Sequence, residues 1–225
     1  MTQNEPYVIT IDGPGGSGKG SLALRIAGKL GFHLLDSGAI YRLAALKALR
    51  ENVDLSDENA VLGALHAFNI HFESGEELCI PFLDGEDVSG QIRLETTGDA
   101  ASIIAVYAGV RARLLERQQQ CFQAPGLVAD GRDMGTVVFP DARIKFFLYA
   151  SVEIRAQRRH KQLISMGISA NIAQLQAEIA ERDERDSNRV ESPLVPAADA
   201  LVVDSSLLDL DQVTELMMSH IEVVG

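Results

Sequence analysis

The sequence has few of the features that mark secreted, zinc-binding or membrane-spanning proteins. Among its 225 residues only Cys79 and Cys121 are cysteines, and they lie far apart without a CxxC spacing. We therefore expect neither a disulfide framework nor a zinc site, but two reduced thiols in a reducing compartment. No apolar run approaches the roughly 18 residues that span a bilayer, and the first residues lack the regions of a signal peptide. The expectation is a cytoplasmic protein that binds no membrane.

Positive charge is scarce as well. The chain carries 20 Lys and Arg against 32 Asp and Glu, a formal net charge of −12. Such a balance argues against binding to nucleic acid polymers or anionic membranes. It leaves a small anionic substrate open, because a local arginine cluster dominates a cleft within a Debye length of roughly 8 Å. With 46% apolar residues, the chain can bury a sizeable core.

The order of the predicted elements indicates an α/β fold. A β-branched run at 7–11 stops at a glycine-rich turn, and apolar residues at helical spacing follow as far as Gly31, a candidate C-cap. Strands that alternate with helices imply a mostly parallel central sheet covered on both faces. Further strands are predicted at 33–35, 126–130, 144–149 and 200–203, and helices at 39–50 and 103–122, in a hairpin at 153–189, and at the end of the chain to about 221.

The segment from about 54 to 98 departs from the alternation of strands and helices. Ser56 with Asn59 could open a short helix, and short strands follow at 69–73, 78–83 and 87–88, separated by turns at 74–76 and 84–86. Three strands without intervening helices predict a small antiparallel sheet inserted into the chain. We predict one domain over 1–225, with its core at about 1–55 and 99–225, an insertion at about 56–98 and a helical lid at about 153–189.

A phosphate-binding loop follows the first strand. Residues 13–19, Gly-Pro-Gly-Gly-Ser-Gly-Lys, match the first seven positions of the P-loop pattern G-x-x-x-x-G-K-[ST]. Small residues let backbone N–H groups surround phosphates, the next helix adds its dipole, and the lysine adds a charge. Gly20 takes the Ser/Thr position that usually touches Mg²⁺, and Ser21 follows it, so Ser21 could reach the metal only through water. The predicted ATP-binding residues are Gly13, Pro14, Gly15, Gly16, Ser17, Gly18, Lys19, Gly20 and Ser21.

Three further segments carry a resemblance to a known family. They are DSGAIYR at 36–42, DGRDMGTVVFP at 130–140 and RDERDSNR at 182–189. Together with the loop, they resemble bacterial cytidylate kinases of the nucleoside-monophosphate kinase superfamily, over nearly the whole chain; adenylate kinases lack the GRDMG-type segment. The resemblance implies a P-loop three-layer sandwich with an inserted antiparallel sheet and a lid. It implies transfer of the γ-phosphoryl group of ATP, with Mg²⁺, to CMP or dCMP.

The side chains also make chemical sense. Ser37, Arg42, Arg132 and Asp133 follow predicted strand ends, where ligands gather in open α/β sheets, so they can converge on one crevice. Arg42 and Arg132 offer bidentate donors to a phosphate, although each could instead pair with a surface carboxylate. The Asp133 carboxylate can accept from cytosine N4 and would repel uracil O4; alternatively it pairs with Arg132 or caps the loop.

Other roles rest on the resemblance. It places Ser102, Arg111 and Asp133 around the base, and Asp186 with Arg189 at the ribose hydroxyls and the acceptor phosphate. Ser102 could instead be a helix hydroxyl, Arg111 could lie on a solvated face with Arg113 and Arg117, and the stripe of Arg182, Arg185 and Arg189 could be a salt-bridged surface. Asp186 and Arg189, three residues apart, are expected on one helix face. The predicted catalytic residues are Lys19, Arg132, Arg158 from the lid and Arg189, and Asp130 (or Asp12, which could equally cap the loop) holds water on Mg²⁺.

Other functions stay open. The nearest is a related small-molecule kinase that acts on UMP, AMP or a non-nucleotide acceptor. A nucleotide-dependent switch is another, although the sequence lacks an N-K-x-D guanine-reading motif. A third is a binding module with an inactive site. We expect a monomer, because no long apolar stripe invites pairing.

Overall fold

A computed structural model describes residues 5–73, 79–165, 167 and 169–224. The turn predicted at 74–76 and the start of the strand predicted at 78 lie outside these residues. In chain order the elements are β1 (Tyr7–Asp12), α1 (Lys19–Leu30), β2 (His33–Asp36), α2 (Ser37–Arg50), α3 (Glu58–Ala64), β3 (Ile70–Glu73), β4 (Ile80–Leu83), β5 (Glu86–Asp87), α4 (Glu95–Ile104), α5 (Ala108–Gln119), β6 (Gly126–Gly131), β7 (Ile144–Tyr149), α6 (Val152–Ser165), α7 (Ile172–Ser187), β8 (Leu201–Asp204) and α8 (Leu210–Val224).

The described residues form two sheets. The larger has the strand order β2-β6-β1-β7-β8, and β1 pairs in parallel with both β6 and β7, as β7 does with β8. The smaller has the order β3-β4-β5 and is antiparallel. The predicted fold class, a mostly parallel α/β sheet with a small antiparallel sheet, is confirmed. Among the described residues no helix is both long and apolar enough to cross a membrane.

The chain divides into two compact units, each with its own core. The first, here the P-loop unit, comprises Met1–Leu35 and Gln119–Gly225, and the second, here the 36–118 unit, comprises Asp36–Gln118. The second unit is wider than the predicted insertion at 56–98, because it also contains α2 and α4, which pack together. The finer division into an insertion and a lid at 153–189 stays a prediction.

The core of the P-loop unit joins the parallel sheet to α1 and α8. Ile9 and Ile11 of β1 are fully buried, and Leu22 of α1 and Met217 of α8 pack in the same cluster. Both helices are amphipathic, so their apolar faces cover the sheet while their charged faces meet water. This packing fixes the position of the loop between β1 and α1.

The core of the 36–118 unit is smaller. Leu43 and Leu46 of α2 pack against Leu83 of β4 and against Val88 and Ile92, which follow the small sheet. One face of the antiparallel sheet is thereby buried on α2, as expected for a short sheet with one solvated side. The small sheet is held by the helix that carries Ser37 and Arg42.

The helix predicted over 103–122 is wrong in its bounds. The structure has two helices, α4 and α5, separated by residues 105–107. Tyr107 lies between the two helices, and its hydroxyl donates to the Leu55 carbonyl at 2.9 Å. The Tyr107 carbonyl accepts from the Arg111 N–H at 3.0 Å, which is the first hydrogen bond of α5. The Arg111 guanidinium donates to the Ala105 carbonyl at 3.2 Å and so satisfies the end of α4.

The start of the short helix also differs from the prediction. Asp57, not Ser56, is its N-cap, and its carboxylate accepts from the N–H groups of Asn59 and Ala60. Both the N–H and the hydroxyl of Ser56 donate to the Asp54 carboxylate. Asp and Ser are both good N-caps, so the sequence offered two candidates one residue apart.

Candidate active site

The loop between β1 and α1 is built by close backbone packing. Gly13 has φ +149°, and a Cβ at this position would lie 2.1 Å from the Leu148 carbonyl oxygen of β7. Only glycine therefore lets the chain leave β1 here. Helix α1 begins at Lys19 after Gly18, and no side chain caps it. Its first N–H groups thus suit an anion, as the P-loop pattern predicts.

Lys19 lies inside the loop. It is 6% exposed, its ammonium group donates to the Pro14 carbonyl at 3.0 Å, and it lies 3.8 Å from the Asp130 carboxylate. Burial, and after it the positive charge of Arg132, lower the pKa of Lys19 to about 8, whereas Asp130 opposes the shift. The ammonium group is therefore poorly compensated within the protein and suited to a negative ligand.

Asp12, at the end of β1, serves the backbone. Its carboxylate accepts from the N–H groups of Met134 and Gly135, each at 2.8 Å. Burial raises the pKa of Asp12 to about 6, although these two hydrogen bonds oppose the shift. Asp12 was considered as a cap of the phosphate loop, but these hydrogen bonds go to a turn that follows β6, and a water-mediated role of Asp12 at Mg²⁺ stays a prediction. Asp12 holds the π-helical turn Met134–Val138, which directly follows Asp133.

Asp130, at the end of β6, lies beside the loop. A Cβ on Gly20 would be 3.3 Å from the Asp130 Oδ2 atom. The carboxylate thus occupies the space next to the position where other P-loops carry a Ser or Thr hydroxyl. Ser21 is exposed in the first turn of α1. Among the described residues no three His, Cys, Asp or Glu side chains form a metal-binding group.

Arg132 and Asp186 form a buried ion pair. The Arg132 Nε atom donates to the Asp186 carboxylate at 2.9 Å, and Asp186 is 4% exposed. Burial opposes the charge on Asp186, but Arg132, Arg189 and Arg182 outweigh it and lower its pKa. Arg132 therefore pairs with a buried carboxylate, not with the surface carboxylate considered from the sequence.

The prediction that Asp186 and Arg189 share a helix face is wrong. Helix α7 ends at Ser187, with Asn188 as its C-cap. The two residues are nevertheless adjacent, because the Arg189 Nε atom donates to the Asp186 carbonyl at 3.2 Å. The change of direction after Ser187 brings Arg189 back toward the helix end, where it is 8% exposed.

Helix α6 contributes arginines directly to the loop. Arg158, predicted to contact ATP, donates to the Ser17 carbonyl at 3.2 Å and to the Ser205 carbonyl at 2.6 Å. Arg155, which sequence reasoning did not select, is 2% exposed and donates to the Gly15 carbonyl at 3.0 Å. In the sequence it is one of several basic residues on this helix, with Arg158, Arg159 and Lys161, and nothing in the local pattern singles it out. Contact of Arg158 with ATP stays a prediction.

In the 36–118 unit, Ser37 and Arg42 lie on α2. The Ser37 hydroxyl donates to the Gln118 side chain at 2.7 Å. Arg42 donates to the carbonyls of Ile92 at 2.6 Å and Leu94 at 3.2 Å. These two partners are backbone oxygens, which orient the guanidinium group.

Ser102 and Arg111 lie on α4 and α5 of the same unit. Ser102 is 4% exposed, and its hydroxyl has no hydrogen-bond partner among the described residues. The Arg111 guanidinium lies 5.6 Å from the centre of the Tyr41 ring and caps α4. The contacts of Arg111 within the protein show it as a cap of α4. A contact of Arg111 with the base of a substrate stays a prediction. Asp133, in the P-loop unit, is 3% exposed.

Comparisons with known proteins identify the family of the chain. The family model described as cytidylate kinase matches residues 9–223. The chain belongs to the cytidylate kinase family. It is 54% identical to a cytidylate kinase of Paraburkholderia xenovorans (strain LB400) over 96% of this chain and 93% of that protein. It is also 54% identical to one of Burkholderia mallei (strain NCTC 10229) over 100% of this chain and 99% of that protein.

A solved structure with a similar trace is more distant. The gluconokinase of Sinorhizobium meliloti 1021 is 16% identical, with a TM-score of 0.47, over 96% of this chain and 92% of that one. Membership of the cytidylate kinase family rests on the family model and on the two close relatives.

Proposed function

We propose that this protein transfers the γ-phosphoryl group of ATP to CMP or dCMP and forms ADP and CDP or dCDP. The observation that carries the proposal is the buried, poorly compensated Lys19 within a loop that faces arginines. A Cβ on Gly15 would lie 3.3 Å from the Arg132 guanidinium and 3.9 Å from Arg182. Cationic groups thus lie close to the phosphate loop, where phosphoryl transfer needs them.

The donor is bound by the loop. Backbone N–H groups between Gly13 and Ser21 surround the phosphates of ATP, and Lys19 neutralises the β- and γ-phosphates. Because burial penalises the charged ammonium, a phosphate in contact with it restores its full charge. Arg132, Arg189 and Arg158 add charge that offsets the phosphoryl group during transfer.

In the 36–118 unit, we propose that Arg42 binds the phosphate of the acceptor, and that Ser37, Ser102 and Arg111 contact the acceptor nucleotide. Support for Ser102 comes from its buried hydroxyl, which the described protein leaves unsatisfied and which a base could engage. Support for Arg42 comes from its planar fork of N–H donors, which matches a phosphate, and from the two backbone carbonyls that orient it.

In the P-loop unit, we propose that Asp133 accepts from the exocyclic amine of cytosine. Asp186 and Arg189 would contact the ribose and the acceptor phosphate, with Arg132 held ready by its ion pair with Asp186. Support for Asp133 is its position directly before a turn that Asp12 holds through two hydrogen bonds. A fixed carboxylate discriminates better than a mobile one.

Mg²⁺ fits the residues beside the loop. Proteins hold this ion through one or two carboxylates together with substrate phosphates, and Asp130 supplies a carboxylate next to Gly20. When bound, the ion would offset charge on the transferring phosphates. Asp130 would hold it through water, with Ser21 as a further water-mediated contact.

Steady-state assays with ATP and each of CMP, dCMP, UMP and AMP test the function. We expect turnover with the two cytidine nucleotides and little with AMP. Equal rates with AMP would exclude the cytidine assignment, and slow ATP hydrolysis that ignores every acceptor would favour a switch.

The base contact has its own test. Asp133→Ala should reduce the preference for CMP over UMP by about 10-fold, the value of one specific hydrogen-bonded contact, and change KM for ATP little. Asp141→Ala, an exposed carboxylate of the same unit, is the matched control and should leave selectivity unchanged. Preserved selectivity in Asp133→Ala would contradict the contact.

We also propose a monomer that resides in the cytoplasm. Neither Cys79 nor Cys121 forms a disulfide among the described residues, which is usual in a reducing compartment. Sedimentation of the purified protein and fractionation of cells that express it test the two parts of this proposal.

A further inference from the structure

The carbonyl groups of the phosphate loop are turned toward donors of the protein itself. The Pro14 carbonyl accepts from the Ser17 hydroxyl and from Lys19, each at 3.0 Å. The Ser17 carbonyl accepts from Arg158 at 3.2 Å and from Ser205 at 3.3 Å. In a trans peptide the C=O and N–H bonds point in opposite directions. Each carbonyl held in this way directs the next N–H group to the other side.

The Gly15–Gly16 peptide is the part of the loop that can most easily turn over. Rotating this peptide changes ψ of Gly15 and φ of Gly16, and Gly16 already has φ +77°. Because glycine adopts positive and negative φ with similar ease, no side chain of either residue opposes the rotation. A flipped peptide would place a carbonyl oxygen where the phosphate needs an N–H donor. Something outside the two residues must therefore hold this peptide.

Arg155 of α6 is the group in contact with it. The Arg155 Nη1 atom donates to the Gly15 carbonyl at 3.0 Å, and its aliphatic part lies 3.5–4.0 Å from the position of a Cβ on Gly16. The arginine thus covers the outer side of this peptide with both its charge and its stem. At 2% exposure it is also the largest fully buried side chain of the described protein.

The orientation of Arg155 is itself fixed. Its Nε atom donates to the Ala150 carbonyl at 2.8 Å, and Nη1 and Nη2 both donate to the Asp183 carboxylate of α7. Such a bidentate pair sets the plane of the guanidinium group, which aims the remaining Nη1 donor at the Gly15 carbonyl. A lysine could not make all of these bonds.

We propose that Arg155, oriented by Asp183, is a positioning residue that keeps the Gly15–Gly16 peptide turned so that its N–H can bind the donor phosphates. This inference rests on the proposed function of the loop. It assigns to the pair a role in binding ATP without contact to ATP, and it links helix α7 to the loop through a single carboxylate.

The sign of the effect separates this role from simple electrostatics. Asp183→Asn removes a negative charge from the region of an anionic ligand, so Coulomb's law alone predicts tighter binding. The proposal predicts weaker binding of the anionic ligand. The amide cannot accept from both guanidinium nitrogens, so the orientation of the Arg155 side chain is no longer fixed. Arg155→Lys keeps the positive charge, so electrostatics alone predicts no change in the affinity for the anionic ligand, whereas the proposal predicts a lower affinity.

The experiment titrates inorganic tripolyphosphate and CMP separately into the full-length protein by calorimetry, followed by steady-state kinetics. Tripolyphosphate probes the loop without adenosine contacts. In Asp183→Asn and in Arg155→Lys we expect about 10-fold weaker tripolyphosphate binding, as for the loss of a charged hydrogen bond. KM for ATP should rise in parallel, and CMP affinity should stay unchanged.

The exposed pair of Arg25 and Asp211 in the same unit provides matched controls. Arg25→Lys and Asp211→Asn should leave both affinities unchanged. Tripolyphosphate affinity that is unchanged or increased in folded Asp183→Asn and Arg155→Lys would overturn the inference, as would an equal loss of CMP affinity. If the unchanged protein binds no tripolyphosphate, the phosphate loop and the inference built on it both fail.

Discussion

Gly98 on α4 lies against the guanidinium group of Arg42. A Cβ at position 98 would be 2.7 Å from Arg42 Nη2 and 3.1 Å from Nη1, and Nη1 is the atom that donates to the carbonyls of Ile92 and Leu94. Gly98→Ala should therefore displace the arginine and raise KM for CMP by about 5- to 20-fold, the range for a weakened charged hydrogen bond. KM for ATP should change little.

Gly63→Ala is the control for that substitution. Gly63 also lies within a helix of the 36–118 unit, but nothing lies within 4 Å of the position of its Cβ. The change should leave both KM values unaltered and raise the free energy of unfolding by up to about 1 kcal/mol, because alanine is the better helix former. If both variants behave alike, Arg42 does not act on the acceptor.

Lys19 predicts a proton linked to ATP binding. Burial and then Arg132 lower its pKa to about 8, so the free enzyme at pH 8 holds about half a proton on this group. Bound phosphates should restore the full charge, and ATP binding near pH 8 should take up about half a proton, falling toward zero at pH 6. Calorimetry in buffers with different ionisation enthalpies measures this uptake.

Lys19→Arg is the appropriate comparison, because an arginine stays charged at every pH used. Uptake near pH 8 should vanish in this variant even if its affinity for ATP is lower. Equal uptake in both proteins would show that another group takes up the proton.

The site residues differ in how far their roles can be predicted from the sequence. Lys19 and Asp133 stand in short motifs whose spacing and neighbouring strand carry chemical meaning by themselves. Arg155 stands in a charged helix among other basic residues, and what distinguishes it is burial against the Gly15 carbonyl and Asp183. That arrangement depends on how α6 and α7 pack, which local patterns do not encode.

At the scale of elements, the π-helical turn Met134–Val138 depends on one carboxylate. Asp12→Ala would leave the buried N–H groups of Met134 and Gly135 without their acceptor, at a cost of about 1–3 kcal/mol each. Burial raises the pKa of Asp12 to about 6, above its unfolded value. The stability it contributes is therefore fully present below its unfolded pKa and is lost as pH rises through about 6.

Urea unfolding of the unchanged protein and of Asp12→Ala at pH 5 and pH 7 tests this. The free energy of unfolding that Asp12→Ala loses relative to the unchanged protein should be larger at pH 5 than at pH 7. Asp12→Asn keeps one acceptor and cannot titrate. At pH 5 its free energy of unfolding should therefore lie between those of the unchanged protein and Asp12→Ala. The difference in unfolding free energy between Asp12→Asn and Asp12→Ala should not vary with pH. A loss that grows from pH 5 to pH 7 would contradict the raised pKa.

The elements themselves were predictable to different degrees. The buried strands β6 and β7 are short apolar runs between clear breaks, and their predicted bounds agree with the structure to within one residue. The break between α4 and α5 was missed because its cause is not local. Tyr107 and Arg111 bond to Leu55 and Ala105 there, and the run of residues 103–122 contains no proline and only one glycine to reveal it.

At the scale of the whole molecule, alternation of strands and helices was enough to predict a parallel sheet, because parallel strands need crossover connections. The division into compact units was less accessible. The sequence texture changes at about residue 54, whereas the 36–118 unit begins at Asp36. Helix α2 joins that unit through packing of Leu43 and Leu46 on the small sheet, and nothing in its own composition shows which sheet it will cover.

The net charge of −12 predicts how salt affects the stability of the whole chain. Like charges repel more strongly in the compact state than in the unfolded one, and the Debye length falls from about 10 Å at 0.1 M salt to about 3 Å at 1 M. We expect the midpoint of thermal unfolding to rise with NaCl by about 2–4 °C, which for a chain of this size corresponds to roughly 1 kcal/mol.

Exposed carboxylates on α8 provide the control for this effect. Glu215→Gln and Glu222→Gln together remove two charges from exposed positions. At low salt the double variant should be more stable than the unchanged protein, and its response to NaCl should be smaller, because less repulsion remains to be screened. Ion pairs on the surface, such as Arg25–Asp211, are weakened by the same salt but contribute little each. A midpoint that falls with NaCl would mean that such pairs, and not the net charge, dominate the electrostatic free energy of folding.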